Sequence, residues 1–302
     1  MSKNYLQYYR LTNFFTRYFK NFPALLLVNL LFCIPAAVFG FILFLMIRFT
    51  GSVSSYVLLT CIPLLSPFLA AVSDVCKKVT TDCTIQPIKD FYNGMRKNAK
   101  YFLIYSIFVY IISAGLWITF SFYNNFAGNP IVNVSCILSV VAALFFLLMS
   151  FTINVMIVSV KLNFKEMIKN SIWLIISGFA NHLKILLSLF LVFGVVYIIA
   201  YLPLPSAVLW GIYAVLTLTV LPVLVVYIIV FNAYQIVEKN VIDTYKHNTP
   251  KQNFPSESQN FSYQELKHLA EGNPDEYVSV GGRILKRSTI AKMAEAHKND
   301  ID

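Results

Sequence analysis

Residues 101–160 read YFLIYSIFVYIISAGLWITFSFYNNFAGNPIVNVSCILSVVAALFFLLMSFTINVMIVSV, 60 positions without one Lys, Arg, Asp or Glu. A water-soluble core has no need of so long an uncharged run. A bilayer does, because a helix rising about 1.5 Å per residue takes about 20 apolar residues to cross about 30 Å of hydrocarbon. The run is too long for one crossing, and Asn124, Asn125, Gly128, Asn129 and Pro130 are turn formers near its middle. It therefore predicts two helices, 101–122 and 131–160, joined by a turn.

The same reading extends in both directions. Residues 185–237 form a second uncharged run of 53, broken at Leu202-Pro203-Leu204-Pro205, which predicts spans 185–202 and 207–232. Residues 22–47 are 26 uncharged positions, enough for one tilted helix. Residues 56–72 are a shorter stretch of 17 containing Pro63 and Pro67, and Val72, Val75, Cys76 and Val79 carry its apolar stripe onward. That pattern predicts a bent second helix continuing past the headgroups. Six crossings result, an all-α polytopic membrane bundle. Continuous apolar runs lack the alternation of membrane strands, which excludes a barrel. Over all 302 residues, 58% are apolar and 13% charged. Soluble chains carry about 25% charged residues, and disorder, a collagen-like repeat or a disulfide scaffold is excluded on the same ground.

Charge gives the orientation. Lys3, Arg10, Arg17 and Lys20 precede the first span. Lys77, Lys78, Lys89, Arg96, Lys97 and Lys100 follow the second, and Lys161, Lys165, Lys169 and Lys184 follow the fourth. Of the 24 cations only Arg48 lies in a loop on the opposite face. Because positive charge in short loops stays on the cytoplasmic side, both termini are expected in the cytoplasm of an inner-membrane protein, with the first span an uncleaved anchor. Residues 1–234 hold 15 cations and 4 acids and the remainder 9 and 10, so the net charge of +10 is juxtamembrane. The segment large enough to meet DNA or RNA is near neutral, and nucleic acid is not an expected partner.

Ahead of span three, Ile88, Phe91, Tyr92, Met95 and Ala99 recur at helical spacing, with Arg96, Lys97 and Lys100 off that stripe. Leu11, Phe14, Phe15, Tyr18 and Phe22 repeat the spacing ahead of span one, and Phe164, Met167 and Ile168 begin it ahead of span five. Interfacial amphipathic helices are expected at all three places, each followed by a membrane hairpin. Arg17, Lys20, Arg96, Lys97 and Lys100 are the candidate contacts to lipid headgroups or to a membrane-protein partner.

Catalytic chemistry finds few residues to use. All 14 acidic residues lie outside the spans, the four His are scattered, and Cys33, Cys61, Cys76, Cys83 and Cys136 have no metal-site spacing. No cofactor, metal site or enzymatic activity is expected. The polar residues left within spans include Asn29, Ser66 and Asn154, candidates either for bonds between helices or for the lining of a solute cavity. The chain thus divides into residues 1–21, an interfacial helix; 22–234, the membrane domain with loops 73–100 and 161–184; 235–261, a polar linker; and 262–302, a small cytoplasmic module. In that module Ser262-Tyr263-Gln264-Glu265 opens a helix and Gly281-Gly282 turns a hairpin.

Several short motifs resemble the YesL-like bacterial membrane proteins, a domain of unknown function. They are Asn29-Leu30-Leu31 with Pro35, Pro67-Phe68-Leu69-Ala70-Ala71, Ile88-Lys89-Asp90-Phe91 and Lys97-Asn98, within residues 10–235. The loop 48–55 and the extended tail depart from that pattern. The resemblance implies a six-helix inner-membrane protein associated with carbohydrate uptake, and it supplies no catalytic or binding residues. A non-enzymatic accessory or scaffold protein is the expected function; a facilitator or channel for a small neutral solute is the alternative.

Overall fold

The computed structural model describes residues 11–51, 54–125, 130–160, 163–203, 205–242, 263–280, 283–291 and 294. Six helices among them are long and apolar enough to cross a membrane, as the sequence predicts. The chain is a multi-pass membrane protein. The linker positions 243–262, the turn at 126–129 and the Gly281-Gly282 turn lie outside the described residues, as does Ser262.

Helix α1 (Leu11–Lys20) meets α2 (Phe22–Thr50) across a single turn residue, Asn21. The second span is bent as expected: α3 (Ser55–Leu59) and α4 (Cys61–Thr80) join at Thr60. Helix α5 (Pro87–Asn125) runs unbroken for 39 residues. The segment ahead of span three is therefore not a separate interfacial helix but the opening turns of α5. Between Pro87 and Asn125 the sequence offers no further proline, and Gly94 and Gly115 alone do not stop a helix. Helix α6 (Pro130–Ser159) completes the hairpin, and α7 (Phe164–Ser177) joins α8 (Phe179–Ile199) through Gly178.

The sixth span departs further from expectation. Instead of one rod over 207–232, α9 (Ser206–Thr219) and α10 (Leu221–Val237) are separated at Val220, whose φ of −135° and ψ of −48° leave the helical path. Pro222 lacks the N–H that would have continued the ladder. Nor does the linker begin at 235. The chain stays helical through a π-helical turn at Glu238–Ile242, because Ile236, Val237, Val241 and Ile242 keep an apolar face that is buried in the bundle.

Beyond it, α11 (Tyr263–Ala270) and an antiparallel hairpin, β1 (Tyr277–Val280) with β2 (Arg283–Lys286), enclose a small core of their own. Val278 faces Leu285 in the register, and Leu266, Leu269, Val278, Val280, Leu285 and Ile290 are buried together.

Burial is concentrated at the end of the bundle that carries the lysines and arginines. There α4 is buried almost continuously from Ala70 to Val79, and α6 from Phe151 to Ser159 except for half-buried Asn154; α10 buries Val223, Tyr227, Val230 and Phe231. At the far end, α3 and α9 bury no residue. Phe41, Phe44, Ile111, Trp117 and Leu138 stand exposed there, an apolar surface suited to lipid.

Helices α4 and α5 approach closely at Gly94. A Cβ there would stand 2.9 Å from the Asp74 Cβ and 3.3 Å from the Ala71 Cα, so the neighbouring backbone would have to shift. Gly94→Ala is expected to lower stability in detergent by about 1–2 kcal/mol, overpacking outweighing the helix-propensity gain. Gly115→Ala, whose Cβ meets nothing within 4 Å, leaves the melting temperature unchanged or raised. Equal melting of the two variants would refute the close approach.

Candidate functional site

The break at Val220 leaves backbone groups without their helical partners. In an unbroken helix the Thr217 and Leu218 carbonyls would take the amides of residues 221 and 222, and residue 222 is proline. Asn29, fully buried on α2, meets this deficit with one side chain. Its Nδ2 donates to the Thr217 carbonyl at 2.8 Å and to the Leu218 carbonyl at 2.7 Å, while its Oδ1 accepts the Val223 N–H at 3.1 Å. The Cys33 thiol, one turn along α2, lies 3.6 Å from the same Thr217 carbonyl. Asn29 thus acts as an N-cap supplied from another helix, and as a C-cap at the same time.

Ser66 performs a local version of this repair. Pro67 cannot donate to the Pro63 carbonyl, and the buried Ser66 hydroxyl donates to it instead at 2.8 Å. Asn154 is half-buried on α6, and its Oδ1 finds no hydrogen-bond partner among the described residues; the same holds for Asn98 Nδ2 on α5. No described hydrogen bond joins Asn29, Ser66 and Asn154.

At the charged end the candidate cations separate into two groups. Arg96, Lys97 and Lys100 are exposed along one side of α5. Arg17, expected in the headgroup layer, is instead buried, and its Nη1 donates to the Thr80 carbonyl at the end of α4. The reason is physical: helix C-termini carry unpaired carbonyls and partial negative charge, and a guanidinium answers both. Lys20 is exposed and pairs with Asp82 at 3.2 Å, a contact worth about 0–1 kcal/mol. Phe14 and Tyr18 turn inward onto Tyr227, whose hydroxyl donates to the Phe14 carbonyl at 3.2 Å. Burial, assisted by Cys76, pushes the Tyr18 phenol up to about 12, so it stays protonated at physiological pH. Leu11, Phe15 and Phe19 face outward.

Helix α5 divides the expected stripe between outside and inside, with Met95 and Ala99 half-buried. Ile88 and Tyr92 are exposed, whereas Asp90, Phe91, Gly94 and Asn98 are buried against the bundle. Asp90 is held by Lys78 at 3.0 Å through one oxygen and by the Gln86 N–H at 2.8 Å through the other. The carboxylate at the opening turn of α5 also suits the helix dipole.

The tail module docks on α7. The Tyr277 hydroxyl donates to Glu166 Oε2 at 2.8 Å, the same oxygen that accepts the Asn163 N–H at 3.3 Å at the start of that helix. Arg287 ties the module together, pairing with Glu276 at 2.8 Å and donating to the Leu269 carbonyl at 3.1 Å.

Sequence reasoning missed Pro222, whose place inside an apolar run was signal enough for a break. It also missed the polar inward stripe of α5 and the Tyr277–Glu166 contact, which joins positions 111 residues apart. Among the described residues no group of three or more His, Cys, Asp or Glu side chains gathers as a metal site. Compared with protein-family profiles, curated proteins and solved structures, the chain gives no match.

Asn29→Ala leaves the Val223 amide and two carbonyls open in an apolar setting and is expected to cost about 2 kcal/mol in detergent melts. Pro222→Ala returns an N–H within reach of the Leu218 carbonyl, so adding it recovers part of the loss. Strict additivity of the two substitutions would show that they do not share the break.

Proposed function

We propose that this chain is a non-enzymatic membrane scaffold that presents its charged end and tail module to a partner in the cytoplasm. The observation that carries the reading is the docked tail: a unit with its own core, fastened by Tyr277 to Glu166 beside a bundle end that is the best-packed part of the molecule. The distribution of Lys and Arg supports an inner-membrane setting with both termini in the cytoplasm. Exposed Arg96, Lys97 and Lys100 then lie where a membrane-protein partner or anionic headgroups can reach them. Asn29 and Ser66, the polar side chains best placed to line a path, are engaged with backbone instead. The YesL-like motifs favour carbohydrate uptake or sensing as the process served.

Crosslinking and co-purification from native membranes test this. One recurrent membrane-protein partner is expected, lost when residues 263–302 are deleted and weakened at least severalfold by joint Arg96→Glu and Lys97→Glu. Retention of every captured protein by both variants would overturn the reading. In the same preparations Tyr277→Phe is expected to speed proteolytic cleavage between the membrane domain and the tail, since the hydroxyl's bond to Glu166 is gone.

A second reading, a facilitator for a small neutral solute, is favoured by the unpartnered polar atoms of Asn98 and Asn154 on the α5–α6 hairpin. Sugar entry into vesicles holding the purified protein, faster than into empty vesicles and slowed by Asn154→Ala, would support it. Entry at the empty-vesicle rate would reject it.

A further inference from the structure

We propose that α9 is a swinging arm, hinged at Val220 and latched by the Asn29 side chain. The short apolar helix α9 and the spanning helix that begins with α10 differ sharply in how they are held. Helix α10 buries residues from Val223 to Val237 and is fixed in the core. Helix α9 buries none. Beyond apolar contact with α2, its polar attachments to other helices among the described residues are few. Asn29 holds the Thr217 and Leu218 carbonyls, Cys33 approaches the Thr217 carbonyl, and the Tyr213 hydroxyl donates to the Val196 carbonyl at 3.1 Å.

The hinge itself is built from backbone chemistry. Val220 has left the helical region, and Pro222 supplies no N–H to stiffen the junction. Space exists on both sides of it. A cleft of about 280 Å³ lies between α2, α4, α8 and α10, lined by Phe32, Leu69, Phe193 and Pro222. A second, of about 230 Å³, lies between α8 and α9, lined by Leu191, Val195 and Leu216. Leu221 lines both. Of the two, the second is lined by α9 itself, through Leu216, so rotation about Val220 moves α9 into room already present there instead of through packed side chains. Breaking the two Asn29 bonds to the Thr217 and Leu218 carbonyls frees the arm, and its swing changes the width of the cleft between α8 and α9. The device is independent of any partner at the charged end.

Fluorine NMR on the full chain in lipid nanodiscs, with tryptophan replaced biosynthetically by fluorotryptophan, reads the arm directly. The chain has 3 tryptophans: Trp210 sits on α9, while Trp117 on α5 and Trp173 on α7 serve as internal references. Asn29→Ala is expected to split or broaden the Trp210 line and leave the other two in place. Pro222→Ala lets residue 222 bond the Leu218 carbonyl and close the break, so the Trp210 line moves to a new single position and stays single when Asn29→Ala is added. An unchanged Trp210 line in Asn29→Ala, with the references intact, overturns the latch. Should Asn29→Ala disturb all three lines through misfolding, Pro222→Ala decides the hinge: a Trp210 line that does not move overturns it.

Discussion

Inside hydrocarbon a peptide group without a partner costs several kcal/mol, and the apolar run 206–237 of this chain is interrupted at Val220. The Asn29 carboxamide satisfies both sides of that interruption, accepting from the Val223 N–H and donating to the Thr217 and Leu218 carbonyls. Because an amide has donors and an acceptor in one plane, it can close two helix ends that face each other. A hydroxyl could serve one end well, and an apolar side chain neither. The requirement fixes more than α9 and α10: it sets the depth of α2 against the break, and with it the place where α1 turns onto Tyr227. The position and its neighbours form one polar knot in an otherwise apolar layer.

A different balance rules the charged end. Arg17, Asp74, Lys77, Asp90 and Glu238 are all buried there. Desolvating such groups costs several kcal/mol each unless geometry compensates, and where partners are seen the compensation is specific. Arg17 meets the terminal carbonyl of α4, and Asp90 receives both an ammonium and a backbone amide. Gly94 lets α4 and α5 close to contact around Asp74. These contacts orient α1, α4 and α5 in a way that interchangeable aliphatic packing would not. They also explain why the bundle is most deeply buried where it is least hydrophobic. In lipid, greasy faces gain little by touching one another, so the far ends of the spans carry no comparable core.

The six spans were legible in the sequence because length and charge depletion are properties of the chain alone, and hydrocarbon imposes them directly. The bend of span two was legible too, through Pro63 and Pro67. What escaped was of two kinds. The inward face of α5 escaped because an apolar stripe at 88, 91, 92, 95 and 99 marks a face that can meet lipid or core alike and gives no sign of which residues meet the protein. Near lipid, Ile88 and Tyr92 are at ease outside, and the helix turns Asp90, Gly94 and Asn98 toward the protein. The roles of Asn29 and Glu166 were hidden for another reason. Each depends on a residue far along the chain, Val223 and Tyr277, and spacing within a helix carries no trace of such a partner. Asn29 was visible as a polar residue needing a bond; which bond it makes is a tertiary fact. Asn154 shows the converse, a similar amide in a similar run that is left with an open acceptor.

The breaks in spans two and six have a common construction. In each, a helix with no buried residue precedes a single non-continuing position, Thr60 or Val220, and a proline follows within three residues, Pro63 or Pro222. After the proline the helix is buried in the core. Further along span two a second proline, Pro67, is answered from within its own helix by the Ser66 hydroxyl on the Pro63 carbonyl, whereas the break at Val220 depends on Asn29 from α2. That difference follows from geometry. At Pro67 the helix continues, so the orphaned carbonyl stays within reach of a neighbouring hydroxyl. At Val220 the path itself departs from helical φ and ψ, no side chain on the same helix is described bridging the two ends, and a group from across the bundle closes them. The hairpin between them, α5 with α6, has no such break and carries the unpartnered amides instead. That hairpin supplies continuous rods for both interrupted segments, since α4 packs along α5 and α6, and α10 packs along α6.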